Sequence, residues 1–303
     1  MLRWRLLSSF IIIAVMLALV VLDHREVGLG LPGVWLLPVL LIVTVLGTEE
    51  VISLLRNQNH RPIEWITYVG SVGIALAGAE KLIKDIGAKF GGSIEPAWEG
   101  WPMLAVAGGV ILAFGGEMGR FRKAGEGAIV NAALALFAMI YVGGLMVFLA
   151  WQRLEFGTFA FLSIPIVVKF ADTGAYTLGR LIGRHKMTPL LSPGKTWQGA
   201  FGGVLAGCAA SWISFTYLQP ALLSQEAAAT HVSPPLIAVL LYGFALTLAG
   251  MHGDLAESLL KREMNRKDSS TWLPGLGGVL DIIDSVLIAA PVAYLFWHMG
   301  WVG

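Results

Sequence analysis

The sequence predicts an all-α, polytopic integral membrane protein with about nine transmembrane helices. Of its 303 residues, 56% are hydrophobic and only 14% are charged, and the mean hydropathy is +0.72. That composition is typical of a chain that exposes much of its surface to lipid. The apolar residues also recur in runs close to the roughly 20 residues that an α-helix needs to cross a bilayer.

The apolar runs can be placed in order along the chain. The first lies within residues 1–22 and follows the basic start MLRWR, as in a signal peptide, but no small-residue cleavage site precedes Asp23. We therefore expect this run to be retained as the first span. The other eight runs lie at residues 31–47, 62–79, 102–118, 127–150, 156–171, 199–218, 235–252 and 285–302.

A charged stretch between the second and third runs is predicted to lie at the membrane surface. Glu49, Glu50 and Arg56 precede Pro62, an arrangement that suits an amphipathic helix at the level of the lipid headgroups. We expect these side chains to be solvated and assign them to no site.

The distribution of basic residues predicts the orientation. In the nine-span arrangement, sixteen of the 21 Lys and Arg residues fall on the side of the N-terminus and five on the other side. Because cytoplasmic loops carry the excess of positive charge, the N-terminus is predicted to be cytoplasmic and the C-terminus outside. Two charge-rich stretches, residues 169–203 and 253–285, then face the cytoplasm.

Composition also excludes several classes of function. The net charge is +1, and no basic domain or nucleic-acid motif is present, so we expect no nucleic-acid partner. The single Cys208 excludes an internal disulfide. The six His residues show no zinc-binding spacing.

The stretch from Gly253 to Ser285 concentrates charge between two apolar runs. If a helix continues through it, Asp254, Ser258 and Lys261 share one face, since they are spaced i, i+4 and i+7. A tight turn is predicted at Pro274, Gly275, Gly277 and Gly278, followed by the carboxylates of Asp281 and Asp284. Carboxylates suit Mg²⁺ and cations suit phosphate, although a solvated interfacial loop would also account for the charges.

The stretch from Lys169 to Gly203 is the second concentration of polar groups. Lys169 and Asp172 end an apolar run, and an ionisable pair at membrane depth indicates a functional site. The groups that could grip a triphosphate are Arg180, Arg184, His185, Lys186, Ser192, Lys195 and Thr196. A Walker A loop is excluded, because Pro189 stands where that motif needs Gly.

Both stretches resemble the characteristic regions of the integral-membrane phosphatidate cytidylyltransferases, the CDP-diacylglycerol synthases. In the later stretch the matching residues are Ser258, Lys261, Arg262, Lys267, Asp268, Pro274, Gly275, Gly277, Gly278, Asp281 and Asp284. In the earlier one they are Asp172, Ala175, Tyr176, Gly179, Arg180, Gly183, His185, Lys186, Pro189, Ser192, Pro193, Lys195, Thr196, Gly199, Gly202 and Gly203. Leu276, Ile282 and Gln198 stand where the family usually has His, Arg and Glu.

The resemblance covers about residues 165–303 and implies a reaction. The cytidylyl group of CTP would pass to phosphatidate from the inner leaflet, giving CDP-diacylglycerol and pyrophosphate. It further implies a homodimer in the inner membrane with its active site facing the cytoplasm. We accordingly divide the chain into N-terminal transmembrane helices (1–160) and a C-terminal catalytic region (161–303).

The resemblance also implies roles for individual residues. The metal ligands would be Asp254, Asp281 and Asp284, holding Mg²⁺ and allowing a second, monovalent or divalent, cation. The catalytic residues would be Lys169, Asp172, Ser258, Lys261, Arg262, Lys267 and Asp268. The substrate-binding residues would be Arg180, His185, Lys186, Ser192, Lys195, Thr196, Gly277 and Gly278.

Three alternatives stay open from the sequence. The chain could be a CTP-dependent transferase or kinase for another lipid phosphate or a polyprenol. It could be a transporter whose path is lined by Lys169, Asp172 and Asp254. The three departures also allow an inactive membrane relative that serves as an assembly partner.

Overall fold

The computed structural model describes residues 2–92, 100–124, 127–223, 232–270, 272 and 277–303. The helices are α1 (Leu2–His24), α2 (Leu36–Arg56), α3 (Glu64–Ala77), α4 (Glu80–Lys89), α5 (Trp101–Ala124), α6 (Ala128–Ala138), α7 (Leu145–Ile182), α8 (Trp197–Ile213), α9 (Gln219–Leu222), α10 (Leu236–Glu263) and α11 (Leu280–His298). Two π-helical segments, Met139–Gly144 and Ser214–Leu218, follow α6 and α8. The strands are β1 (Lys186–Thr188) and β2 (Ser192–Thr196).

The helices confirm the predicted all-α membrane class. Among the described residues, six helical stretches are long and apolar enough to cross a bilayer, or seven if the bent pair α3 and α4 forms one span. The apolar part of α1, Ser9–His24, is shorter, and one stretch, Ala128–Ile182, runs for 55 residues where two spans were predicted. The count of nine and the sidedness of the termini stay predictions.

The long stretch contains a break at Gly157. Its φ of 90° lies outside the helical region, in a part of the map that glycine reaches without strain. Pro165 follows eight residues later and lacks the N–H that a helix interior uses. The break falls at the start of the predicted apolar run 156–171, one residue after its first position.

Contacts divide the chain into two compact units. Unit 1 comprises residues 1–154 and 260–282, and unit 2 comprises residues 155–259 and 283–303. The predicted division at residue 160 stays a prediction.

Unit 1 is built around α3, which packs against α2, α5 and the π-helical segment Met139–Gly144. Its buried core contains Ile66, Ile74, Ala113, Ala132, Ala135, Met139 and Val147. A buried ion pair lies elsewhere in the unit, where Arg153 Nε is 2.6 Å from Asp23 Oδ2. Asp23 Oδ1 also accepts a hydrogen bond from the Trp35 amide at 3.0 Å.

Helix α2 corrects the prediction for Glu50. Glu49 and Arg56 form a partly exposed pair at 3.5 Å, but Glu50 is only 1% exposed. The prediction of a solvated Glu50 was therefore wrong. Adjacent residues on a helix point about 100° apart, so Glu49 and Glu50 cannot share a surface.

Unit 2 has an aromatic core and closely packed glycines. Phe215 packs edge-on against Phe159, at a ring separation of 4.9 Å, and against Tyr242 at 5.5 Å. A Cβ at Gly207 would lie 2.0 Å from Thr247 Oγ1, and one at Gly253 would lie 2.5 Å from the Asp284 carbonyl oxygen. Glycine at these positions therefore allows the helices to pack closely.

Strands β1 and β2 form a short antiparallel hairpin in unit 2. Lys186 pairs with Thr196 and Thr188 with Ser192. The sequence analysis did not predict this hairpin, which is too short to show an alternating pattern. It carries four of the predicted substrate-binding residues: Lys186, Ser192, Lys195 and Thr196.

Candidate active site

Unit 2 brings the two charge-rich stretches of the sequence together. Lys195 on β2 places its Nζ 2.8 Å from Asp254 Oδ2 on α10. Lys169 Nζ lies 3.3 Å from Asp172 Oδ2, one turn along α7. Asp172 also interacts electrostatically with Lys195 and Asp254. Five ionisable groups predicted from separate motifs thus form one set, once Asp284, which interacts with Lys169 and Asp254, is included.

A cavity of about 400 Å³ lies beside this set. It is lined by six of the predicted site residues: Asp172, Arg180, Ser192, Lys195, Thr196 and Asp254. Met187, Met251 and Tyr176 add apolar and aromatic walls. The volume lies in the range of pockets that hold small ligands, and Lys195 and Arg180 supply positive charge for an anionic one.

The hairpin is held by Gln198, on the first turn of α8. Its Oε1 accepts hydrogen bonds from the backbone amides of Arg184 at 3.1 Å and His185 at 3.2 Å. Its Nε2 lies 2.8 Å from His185 Nδ1. Gln198 stands where the family usually has Glu. Its amide oxygen accepts the two hydrogen bonds that a carboxylate oxygen could also accept, so the acceptor is preserved.

Thr196 and Arg180, which were predicted to bind phosphate, contact other groups of the protein in this structure. The Thr196 hydroxyl accepts a hydrogen bond from the Gly199 amide at 3.0 Å and caps α8. Arg180 Nη1 donates to the Tyr176 hydroxyl at 2.8 Å, with its guanidinium over that ring. His185 and Lys186 are exposed at the hairpin.

Unit 1 holds the second group of predicted residues, around Asp281 at the start of α11. Lys261 Nζ lies 2.5 Å from Asp281 Oδ1. Asp281 Oδ2 accepts from the amides of Ser269, at 3.1 Å, and Gly278, at 2.8 Å. The Ser269 hydroxyl lies 2.7 Å from the same oxygen. Asp281 is therefore fixed by a cation on one oxygen and by neutral donors on the other.

Glu50 adjoins this group and was missed by the sequence analysis. The amides of Val279 and Leu280 each donate to its carboxylate at 2.8 Å. The hydroxyls of Ser269 and Ser270 lie 2.8 and 2.7 Å from it. The spacing of polar residues could have indicated this role, because Glu50 and Ser53 on α2 and Asn57 at its C-cap are spaced i, i+3 and i+7 and so lie on one side of the helix.

The remaining predicted residues of unit 1 lie at the end of α10 and in the segment between α10 and α11, residues 264–279. Lys267 and Asp268 are exposed and line a second cavity of about 370 Å³ together with Ser53, Arg266, Ser270 and Trp272. Arg262 Nη1 reaches the Arg266 carbonyl at 3.5 Å. Gly277 has a φ of 92°, and a Cβ at Gly278 would lie 2.3 Å from Glu50 Oε2. Pro274, Gly275 and Leu276 lie outside the described residues.

The candidate metal ligands suit a hard divalent cation. Asp254 is 39% exposed, lines the larger cavity and receives a long hydrogen bond of 3.4 Å from Ser258. Asp284 is buried, with both donors of Ser285 on its Oδ1. Among the described residues, no three His, Cys, Asp or Glu side chains form a metal-binding group. One or two carboxylates with substrate phosphates and water are the usual ligands of Mg²⁺, so the residues fit it.

The fold and these groups define the class of protein. It is a multi-pass membrane protein whose cavity combines Lys195 and Arg180 with the carboxylates of Asp172 and Asp254, the combination that phosphate chemistry uses. The chain belongs to the Cytidylyltransferase family, whose family model matches residues 3–299.

Curated relatives carry a more specific name. The chain is 39% identical over 168 residues to a phosphatidate cytidylyltransferase of Staphylococcus epidermidis, covering 54% of this chain and 58% of that protein. It is 37% identical over 166 residues to the Pseudomonas aeruginosa phosphatidate cytidylyltransferase, covering 52% and 57%. The match to the Chlamydia pneumoniae phosphatidate cytidylyltransferase is longer, with 29% identity over 258 residues, 82% of this chain and 78% of that protein. The chain thus spans a little over half the length of the first two relatives.

Proposed function

We propose that this protein transfers the cytidylyl group of CTP to phosphatidate, giving CDP-diacylglycerol and pyrophosphate. The observation that carries the proposal is the Lys195–Asp254 pair, at 2.8 Å, beside a cavity of about 400 Å³. The chain belongs to a cytidylyltransferase family, and relatives are named for this reaction. Family membership favours a CTP-using enzyme over the transporter alternative.

The reaction requires no strong protein base. An oxygen of the phosphatidate phosphate forms a bond to the α-phosphorus of CTP, while the bond from that phosphorus to the α–β bridging oxygen breaks. Pyrophosphate leaves with the bonding electrons. Because a phosphate monoester is largely ionised at neutral pH, positioning and charge neutralisation supply most of the rate.

The lysines and arginines of both units are assigned to that neutralisation. In unit 2, Lys169 and Lys195 face Asp172 and Asp254. A lysine whose partner is a carboxylate is held in place for an incoming phosphate, with which it makes the same kind of charge-assisted hydrogen bond. Lys261, Arg262 and Lys267 are proposed for the remaining phosphate charge, with Ser192, Thr196 and Ser258 as hydroxyl donors.

Mg²⁺ is the proposed cofactor. The proposed ligands are Asp254 in unit 2 and Asp281 in unit 1, each taken by itself, with Asp284 and Asp268 as further candidates; a second, monovalent or divalent, cation is also proposed. Bound Mg²⁺ would offset the negative charge of the triphosphate and of the leaving pyrophosphate. Asp281 Oδ2 accepts three hydrogen bonds, whereas Oδ1 faces Lys261, so Oδ1 is the oxygen better placed to exchange a partner.

The lipid is proposed to enter sideways from the inner leaflet, at an active site that faces the cytoplasm of a bacterial-type cell membrane. Large hydrophobic side chains are exposed on α7 and α8 of unit 2, including Phe170, Tyr176 and Phe201 at 59%, 66% and 61% exposure, and Tyr176 lines the cavity. Acyl chains can contact such side chains while the phosphate reaches the lysines. We further propose a homodimer, on the family resemblance alone.

Product analysis tests the proposal. The purified protein in detergent receives Mg²⁺, CTP and either phosphatidate, diacylglycerol, polyprenol or polyprenyl phosphate, and mass spectrometry identifies the lipid product. We expect CDP-diacylglycerol from phosphatidate, with one pyrophosphate released per product. A CDP-lipid formed only from polyprenyl phosphate, a phosphorylated alcohol, or no product from a folded protein would contradict the proposal.

A further inference from the structure

We propose that Glu50 is a positioning residue that holds Asp281 in its working geometry. The inference rests on the proposed function, since it takes Asp281 as a metal ligand. Glu50 lies on α2, outside residues 165–303, which carry the motif resemblance. Its carboxylate is 1% exposed, and a buried carboxylate is retained only where hydrogen bonds offset its desolvation.

The contacts of Glu50 fix the start of α11. The amides of Val279 and Leu280 are among the first donors of that helix, which have no partners within it. Both donate to Glu50 at 2.8 Å. A carboxylate at this end also complements the positive end of the helix dipole. Leu280 immediately precedes Asp281, so the capped backbone sets the position of the Asp281 side chain.

A second path runs from Glu50 to Asp281 through a side chain. The Ser269 hydroxyl lies 2.8 Å from Glu50 Oε2 and 2.7 Å from Asp281 Oδ2. It carries one proton and can donate to only one carboxylate at a time. The Ser269 amide also donates to Asp281 Oδ2. Outer partners of this kind orient a ligating carboxylate and tune its affinity for a cation.

The turn that follows α2 contacts the other end of the segment between α10 and α11, residues 264–279. Asn57 Nδ2 donates to the Met264 carbonyl at 2.6 Å, and Gln58 Nε2 donates to the Glu263 carbonyl at 3.2 Å, where α10 ends. Amide donors thus meet the carbonyl end of one helix, and a carboxylate meets the amide end of the next. The chemistry of α2 and its following turn matches both ends of the segment that carries Lys261 and Asp281.

Glu50→Gln and Glu49→Gln form a matched pair for the test. Both remove one charge from α2, but Glu49 contacts Arg56 and Tyr68 instead. We expect Glu50→Gln to raise the Mg²⁺ concentration for half-maximal CDP-diacylglycerol synthesis by about ten- to hundredfold, as loss of an outer partner commonly does. We expect Glu49→Gln to leave it unchanged.

Amide hydrogen exchange provides a readout that does not depend on activity. In Glu50→Gln, the peptides that contain Gly278, Val279 and Leu280 should exchange faster than in the wild type or Glu49→Gln. If the wild type makes no product, the proposed function fails, and this exchange measurement still decides whether Glu50 holds the segment. Wild-type exchange in Glu50→Gln would overturn the inference.

A lower unfolding temperature without a change in Mg²⁺ requirement would also overturn it, because Glu50 would then be structural only. If Glu50→Gln does not fold, Ser269→Ala carries the test, since it removes the shared hydroxyl and leaves both amide contacts of Glu50. The same direction of change in Mg²⁺ requirement is expected there. An unchanged requirement in Ser269→Ala would contradict the proposed path.

Discussion

At the scale of residues, the candidate site contains ion pairs in which the lysine is assigned to phosphate and the carboxylate to Mg²⁺. Lys195 Nζ lies 2.8 Å from Asp254 Oδ2. It also donates a hydrogen bond to the carbonyl of Met251, 56 positions along the chain, at 3.3 Å. Both contacts tie β2 to α10. The lysine is therefore held beside the cavity by two oxygen atoms.

Replacing Asp254 tests the assignment of this pair. Asp254→Asn keeps the shape but removes the charge that pairs with Lys195 and is proposed to bind the cation. We expect kcat/KM for CTP to fall by about a hundredfold or more, the size that loss of an electrostatic contact in the transition state commonly has. Steady-state kinetics at saturating phosphatidate would measure it.

Glu155→Gln is the matched control, because Glu155 is an exposed carboxylate of the same unit and accepts a hydrogen bond from the Tyr294 hydroxyl at 3.1 Å. It should retain wild-type kinetics. Equal activity of Asp254→Asn and Glu155→Gln would remove Asp254 from the site.

Gly278→Ala tests packing at the start of α11. The new Cβ would lie 2.0 Å from the Ser269 hydroxyl and 2.3 Å from Glu50 Oε2. Overpacking of this kind costs about 1–3 kcal/mol, so we expect a lower unfolding temperature. Gly115→Ala on α5 is the control, because nothing lies within 4 Å of its Cβ, and it should be neutral or stabilising. Equal behaviour of the two variants would contradict the packing.

The candidate site was predicted from sequence to different extents. Lys195, Asp254 and Asp281 were identified by motif, and the structure pairs each of them with an opposite charge. Their partners were not predictable, because spacing along one helix says nothing about which strand or helix packs against it. Glu50 was misplaced for the same reason, since its buried surroundings come from residues more than two hundred positions away.

At the scale of elements, the hairpin is the least predictable part of the fold. Its strands have three and five residues, and the second includes Pro193 and Gly194, which disfavour strands. Gln198 holds it from α8 through two backbone amides. The hairpin therefore forms in spite of the low strand propensity of these residues, because hydrogen bonds to Gln198 of α8 hold it.

Two substitutions of Gln198 test whether its side-chain oxygen, as a hydrogen-bond acceptor, is what the hairpin requires. Gln198→Glu keeps an oxygen for the amides of Arg184 and His185 and restores the residue usual in the family. We expect activity within about twofold of the wild type, since no packing or backbone contact is lost. Gln198→Ala leaves both amides without this acceptor and should weaken CTP binding more than it lowers kcat. Titration of CTP into the three proteins measures the difference, and a Gln198→Ala protein with wild-type CTP affinity would contradict the role.

At the scale of the whole molecule, the all-α membrane class followed from composition and from the length of the apolar runs. The limits of the spans were less predictable, because α2 and α10 continue beyond their apolar runs into charged sequence. Those extensions carry Glu50 and Lys261, which are buried or half-buried in unit 1. Hydropathy marks where lipid ends, whereas contacts between polar groups decide where a helix ends.

Stability of unit 1 is predicted to depend on its buried ion pair. Arg153→Ala leaves Asp23, which is 0% exposed, without its cation, and removal of one partner from such a pair costs about 3–5 kcal/mol. Arg56→Ala breaks pairs with Glu49 and Glu64 that are largely exposed and should cost at most about 1 kcal/mol. Chemical unfolding in mixed micelles compares them, and equal losses would contradict the burial of the Asp23–Arg153 pair.

The central claim is that this protein moves the α-phosphate of CTP, with its cytidine, onto a lipid phosphate at a site containing Asp254. The most direct measurement supplies CTP labelled at either its α- or its γ-phosphate to the wild type, Asp254→Asn and Glu155→Gln, with Mg²⁺ and phosphatidate. We predict that the α-label enters the lipid and the γ-label enters pyrophosphate, in the wild type and Glu155→Gln but not in Asp254→Asn. Transfer of the γ-label to lipid, or undiminished transfer by Asp254→Asn, would contradict the account.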